Sequence, residues 1–285
     1  MDSKKKIVIV TDSSAYIPPE AQEGLDIAVI PLWLLWEGKS YQDGIDIFPD
    51  EFYRRLQESK TLPTSSQPSA QEFVDFYQKV LSNADAIVSV LVSSQISGTI
   101  ASAEAAAAEH PEFGVRIVDS YSSAMGLGLA VLAAARAAGE GGSVDDVVGA
   151  AEIMRDRINT IFVVDTLEYL HKGGRISGGK RLLGSALNIK PILHFEEGQI
   201  RPLSQARTKR KALNQLLDIV QERLAGKPMQ ETAIMDVNSL EEGDMVAGLV
   251  EERFAPAQLH RTTVSPVVGT HVGPGTVGIA FYAEE

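Results

Sequence analysis

Residues 271–279, His-Val-Gly-Pro-Gly-Thr-Val-Gly-Ile, place Gly273, Gly275 and Gly278 in the G-x-G-x-x-G spacing of a dinucleotide-binding loop. That spacing has a mechanism only where it follows a strand and opens a helix, whose N-terminal amides then hold a pyrophosphate. Here the glycines lead into Ile279-Ala280-Phe281-Tyr282-Ala283, which reads as an apolar strand. A nicotinamide site is therefore not expected. What the stretch offers instead is one imidazole, His271, on a glycine-rich turn before that strand.

Four further stretches carry groups that could hold an anion. Ser97-Gly98-Thr99 falls where a strand turns into a helix, and the first amides of a helix lack intrahelical partners. It reads either as an ordinary N-cap or as a site where those amides, with Ser93 and Ser94 nearby, receive an anion. Pro63-Thr64-Ser65-Ser66-Gln67-Pro68-Ser69 is dense in hydroxyls and stiffened by prolines. It either caps the following helix or supplies neutral donors to a carboxylate. Lys172-Gly173-Gly174-Arg175 is a helix C-cap or a backbone nest flanked by cations. Arg207, just before Lys209-Arg210-Lys211, has the fork geometry for phosphate or carboxylate, though a surface arginine explains it equally.

Other chemistries find no support. The five histidines have no metal-ligand spacing and the chain has no cysteine, so neither a metal nor another cofactor is expected. Neither a G-x-S-x-G elbow nor a Walker A loop is present. Absence of cysteine also fits a cytoplasmic protein, as does an N-terminal segment without a signal peptide's apolar stretch. No apolar run is long enough to span a bilayer. A net charge of −12 argues against nucleic acid as the main partner. The charge is uneven: residues 171–211 hold ten Lys or Arg against Glu196 and Glu197, so this segment is +8 and the rest −20. It is a solvated basic face or a contact for phosphate, carboxylate or an acidic partner.

The elements that must position these groups alternate. Apolar runs at 6–11, 27–36, 85–92 and 115–118 read as strands. Helical patterns follow from Pro18-Pro19-Glu20 and at 49–58, 69–81, 99–109, 123–138 and 143–157. This is a parallel sheet covered by helices. On the 69–81 helix, Phe73, Phe76, Tyr77 and Val80 are expected in the core. Beyond 158 the order changes: a strand at 160–164, a helical turn at 167–171, a hairpin at 191–205, a helix at 208–224, then strand 231–237, helix 239–253, and strands 260–267 and 277–283. We expect an α/β N-terminal domain over 1–158 and an α+β C-terminal domain over 159–285.

In order and spacing, several short motifs together resemble the DegV family of bacterial fatty-acid-binding proteins over nearly the whole chain. They are Val10-Thr11-Asp12-Ser13-Ser14, Tyr41-Gln42-Asp43-Gly44, Pro63 to Pro68, Ser93 to Thr99, Val118-Asp119-Ser120, Leu167-Glu168-Tyr169-Leu170 with Lys172 to Ile176, and His271 to Gly275. The resemblance implies a two-domain α/β protein that encloses one long-chain fatty acid in an apolar tunnel between its domains. It implies no ATP site and no catalysis by this chain alone. A separate ATP-dependent kinase would phosphorylate the bound carboxylate to an acyl phosphate. It further implies that Ser65 or Thr64, with Ser97 and the Gly98 amide, holds the carboxylate, and that Arg207 and His271 assist phosphoryl transfer. Lys172, Arg175, Lys209 and Arg210 would meet the partner or its phosphates. The family usually has Thr-Thr-Ser-Gln-Pro where this chain has Thr64-Ser65-Ser66-Gln67-Pro68, which keeps the hydroxyl and loses a methyl. The rival reading is an autonomous α/β enzyme acting on a small phosphate ester or carboxylate with Ser97, Arg207 and His271 in one polar cleft. A long, closed apolar tunnel favours the carrier, and a short polar cleft favours the enzyme.

Overall fold

The computed structural model describes residues 5–176 and 189–284. In chain order the elements are β1 (Ile7–Asp12), β2 (Ile27–Ile30), β3 (Trp33–Trp36), β4 (Lys39–Gln42), α1 (Pro49–Glu58), β5 (Thr64–Ser66), α2 (Ala70–Leu81), β6 (Ala86–Leu91), α3 (Thr99–Glu109), β7 (Arg116–Asp119), α4 (Ala124–Gly139) and α5 (Val144–Arg157). The chain continues with β8 (Asn159–Val163), α6 (Glu168–Gly173), β9 (Lys190–Glu196), β10 (Gln199–Ala206), α7 (Lys209–Leu224), β11 (Met229–Val237), α8 (Leu240–Phe254), β12 (Gln258–Thr263), α9 (Pro266–Val272) and β13 (Thr276–Ala283).

Three sheets result. A parallel four-stranded sheet has the order β2-β1-β6-β7, and a mixed six-stranded sheet has the order β10-β9-β8-β13-β11-β12. A small antiparallel sheet, β4-β3-β5, lies apart from both. The strands of the larger sheets obey the period-2 rule that sends successive side chains to opposite faces. On β1, Ile7 and Ile9 join one core and Val10 another, made with Phe73 and Tyr77 of α2 and Ala103 of α3. On β8 and β13, Phe162 and Ala280 face the first core, while Ile161, Ile279 and Phe281 face a separate one packed under α7 and α8. Helix α4 touches β1 and β6 on one side and β13 on the other. Lying between two sheets, it buries nearly all of Met125 to Ala135, which is why Ala, Gly and Leu dominate that stretch, and its one charged residue, Arg136, follows where the helix emerges.

Four local expectations are corrected. Residues 27–36 form two strands in different sheets, because Pro31 lacks the amide a continuous ladder needs. The Leu32 amide instead bonds the Ser13 hydroxyl. Pro19–Gln22 is a short 3₁₀ turn. The hydroxyl-rich segment from Thr64 is strand β5, paired with β3. Strand 260–267 stops at Thr263, and Ser265-Pro266 opens α9 with a serine cap and a proline in the first turn. His271 therefore sits on a helix, not a turn. Phe73 and Tyr77 are fully buried, and Phe76 and Val80 are packed partly buried beside them.

Candidate functional site

A cavity opens along the first-core face of the six-stranded sheet, beyond the C-terminal ends of β1 and β6, where open α/β sheets characteristically bind ligands. Its empty space, the open mouth and adjoining solvent included, is about 920 Å³. Most of the wall is apolar: Phe162 and Phe195 from the sheet, Val264, Val267 and Val268 leading into and along α9, and Ile96 from the loop before α3.

Besides Ser14, Ser123, Thr160 and Thr276, the wall holds a group of polar side chains from four segments that touch in a ring. Ser65 Oγ on β5 lies 2.6 Å from His271 Nε2 on α9. His271 Nδ1 abuts Gly173 at the end of α6, so closely that a Cβ there would overlap it. Two residues on, the Arg175 guanidinium donates to the Gly173 carbonyl and, through Nε at 3.2 Å, to the Ile96 carbonyl. Ser97 and Gly98 follow. A Cβ on Gly98 would stand 2.9 Å from Nε2 of Gln67, which is two residues from Ser65. Ser65, Gln67, Ser97, Arg175 and His271 all line the cavity.

Burial, then the neighbouring Arg175 charge, lowers the His271 pKa to about 4, so the ring is neutral near pH 7. Its Nδ1 is buried without a hydrogen-bond partner. An N–H stranded there would cost more than a bare lone pair, so we assign the proton to Nε2, donating to Ser65 Oγ. The Ser65 hydroxyl proton is then free for an acceptor in the cavity. Ser97 Oγ is 2.8 Å from Thr99 Oγ1 and accepts from the Thr99 amide at 3.3 Å, while Gly98 is the capping residue of α3.

Not every expected site residue joins the ring. On β5, alternation turns Thr64 outward, exposed and off the cavity wall, and Ser65 inward. Arg207 is exposed before α7 and does not line the cavity. Lys172 is exposed and paired with Glu168 at 2.6 Å. Gly174, at φ +71°, is an αL C-cap, so this Gly-Gly pair both ends a helix and lets His271 approach. Lys209 bonds Asp165 Oδ1 at 2.9 Å and the Gly275 carbonyl, which ties it to the loop after α9. Arg210 is exposed in the first turn of α7. Lys180 and Arg181 of the basic segment lie outside the described residues. Sequence reasoning missed Gln67 and the apolar lining from Phe162, Phe195 and Met235. Strand alternation was the available signal for the last three.

Fold and site together define an α/β protein with a mainly apolar pocket whose wall carries hydroxyls, an uncharged imidazole and, among the described residues, a single arginine. A family model described as "uncharacterised protein, DegV family" matches residues 6–284. A DegV domain-containing protein of Streptomyces coelicolor is 38% identical over 277 residues, covering 96% of this chain and 98% of the relative. The chain belongs to the DegV family. Among solved structures, a fatty-acid-binding DegV family protein from Thermus thermophilus superposes with a TM-score of 0.91 at 31% identity, covering 98% of this chain and all of that one. DegV of Bacillus subtilis, described as a fatty acid binding protein, does so with a TM-score of 0.88 at 33% identity and the same coverage. Among the described residues no helix is long and apolar enough to cross a membrane, and no cluster of His, Cys, Asp or Glu could hold a metal.

Proposed function

We propose that this protein binds one long-chain fatty acid in the apolar cavity and presents its carboxylate to a separate ATP-dependent kinase, which forms the acyl phosphate. The observation that carries the reading is a mainly apolar cavity whose polar lining gathers Ser65, His271, Ser97 and Arg175 in one ring of contacts. Each buried methylene contributes ~0.8 kcal/mol, so the apolar wall supplies most of the affinity. A desolvated carboxylate must be paired, and the free Ser65 proton, the Ser97 hydroxyl and the Arg175 guanidinium can pair it. The fatty-acid-binding relatives favour this ligand over a small phosphate ester, and the apolar lining favours it over an autonomous enzyme's polar cleft. Phosphoryl transfer needs the carboxylate near the mouth, with His271 at hand to hold developing charge through Ser65. Of the basic groups, Arg207, Arg210 and Lys211 are exposed to meet the kinase or its nucleotide, whereas Lys209 is engaged with Asp165. The reading also divides the chain near residue 158. In support, the four-stranded sheet draws its strands from one side of that residue and the six-stranded sheet from the other.

The test is native mass spectrometry of the purified protein, followed by unfolding and lipid extraction. One fatty acid per chain, lost in an S65A/S97A double variant, is the expected result. A lipid-free protein that takes up none of a panel of added fatty acids overturns the reading. With the kinase present, R210E/K211E should slow acyl-phosphate formation and leave lipid uptake intact. Unchanged turnover would remove those residues from the kinase contact.

A further inference from the structure

Gly278 lies in the middle of β13, hydrogen-bonded between β8 and β11, where it faces Phe162 on one side and Met235 on the other. A glycine inside a buried strand costs stability, because it loses more chain entropy than alanine and packs nothing. Something must hold that position open. Its backbone does not: Gly278 is absent from the residues at positive φ, unlike Gly273 and Gly275. Its protein neighbours press on it from one side only. A Cβ would meet Phe162 Cβ at 3.1 Å, so β8, which carries that atom, would have to give by a few tenths of an ångström, whereas Met235 Cε at 3.4 Å and the Ile161 carbonyl oxygen at 3.5 Å are ordinary contacts. Compare Gly173 and Gly273, where the added atom would run into the rings of His271 and Tyr169.

What a side chain at 278 would take is space in the cavity. Gly278, Phe162 and Met235 all line it, and alternation along β13 sends position 278 to the cavity face while Val277 and Ile279 enter the core under α7 and α8. We propose that Gly278 is the selectivity floor of the pocket: the acyl chain lies on the bare β13 backbone there, between Phe162 and Met235, and this gap lets long chains pass. The inference rests on the fatty-acid reading and adds the residue that sets chain length. Side chains at 278 should raise a step in the floor and truncate the usable pocket.

The experiment compares delipidated parent, G278A and G278V for binding of decanoate and stearate by calorimetry, with melting of the lipid-free proteins as the fold control. Each methylene excluded from the pocket weakens binding about fourfold. The ratio of stearate to decanoate affinity should fall by more than about tenfold in G278V and by less in G278A, while lipid-free G278A keeps the parent's single cooperative melt. Variants that keep the parent's ratio overturn the inference, as does a lipid-free G278A that melts well below the parent while keeping that ratio, since packing would then explain the glycine. If G278V does not fold, G278A decides alone. A parent that binds neither acid overturns the fatty-acid reading itself.

Discussion

Glu231 is the strongest single test of how the second half of the chain is fastened to α4, whose capping residue Ser123 and first residue Ala124 border the cavity. It is 3% exposed at the start of β11. Arg136 of α4 donates to both its oxygens at 2.7 and 2.8 Å, His260 Nε2 lies 2.7 Å from Oε1, and Tyr282 donates at 3.0 Å. Burial alone would raise its pKa, but Arg136, His260 and Tyr282 prevail and hold it at about 2, below the ordinary 4.5. A carboxyl depressed in the folded state contributes stability above its unfolded value, and that stability drains away as pH falls from 4.5 through 2. At ~1.4 kcal/mol per pH unit the contribution at neutral pH is ~3 kcal/mol. Breaking a buried ion pair by removing one partner costs a similar ~3–5 kcal/mol. E231Q keeps the shape, removes the charge and points an amide at three donors. We expect it to lose ~3 kcal/mol in urea unfolding at pH 7, equivalent to ~6–12 °C in Tm. The difference from the parent should shrink as pH drops below 4.5. A loss under ~1 kcal/mol at pH 7, or one that does not change on acidification, refutes the reasoning.

Two other titrations follow from buried groups. Burial raises the Asp43 pKa to about 7, against the lowering effect of the 2.7 Å bond from Ser13 and of Ser265 and the Val267 amide nearby. Because the unfolded chain releases this proton near 3.8, the parent should lose ~4 kcal/mol from this group as pH rises from 3.8 through 7. D43N should therefore gain on the parent steadily over that range in chemical denaturation, and a pH-independent difference would sink the assignment. A ligand carboxylate beside Ser65 would favour charged His271, raising its pKa from about 4 towards its usual 6.5. Fatty-acid binding between those values should then take up protons, seen as a binding heat that varies with the buffer's ionisation enthalpy. The H271N variant should show no such dependence, and a buffer-independent heat in the parent counts against the coupling.

Much of the fold is legible because its signals are local. Helix α1 follows from Pro49 and the spacing of Phe52, Tyr53 and Leu56, and α2 from Ser69, whose capping box with Glu72 is present. The β9–β10 hairpin follows from Glu197-Gly198 at its turn. What sequence reading missed depends on distant partners. Strand β5 is three residues long and exists because β3 pairs with it. Helix α9 is seven residues, rich in Val, Gly and Thr, and is held by a Ser265 cap and by the Tyr53 hydroxyl bonding the Val264 carbonyl from 211 residues away. The site residues themselves were readable as types, since hydroxyls and one histidine stand out in loops. Their partnership was not, because Ser65 and His271 are 206 residues apart and are joined by tertiary packing of α6, β5, β3 and α1 against α9.

The three glycines of the G-x-G-x-x-G spacing show how a motif can be present while its usual chemistry is not. Gly273, at φ +78°, turns the chain out of α9, and the Tyr169 ring occupies the place of its missing Cβ. Gly275, at φ +81°, gives its amide to the Val237 carbonyl, receives the Lys209 ammonium on its own carbonyl, and leaves room for the Asp165 carboxylate 2.6 Å from where a Cβ would be. Gly278 borders the cavity. The helix here precedes the glycines and a strand follows, so the amides that would cradle a pyrophosphate open no helix. The first two glycines instead lock the exit of α9 to α6, to Asp165 and to the end of β11. That lock fixes the last turn of α9, and so holds His271 within hydrogen-bonding reach of Ser65. The third leaves open the pocket that the same sheet walls.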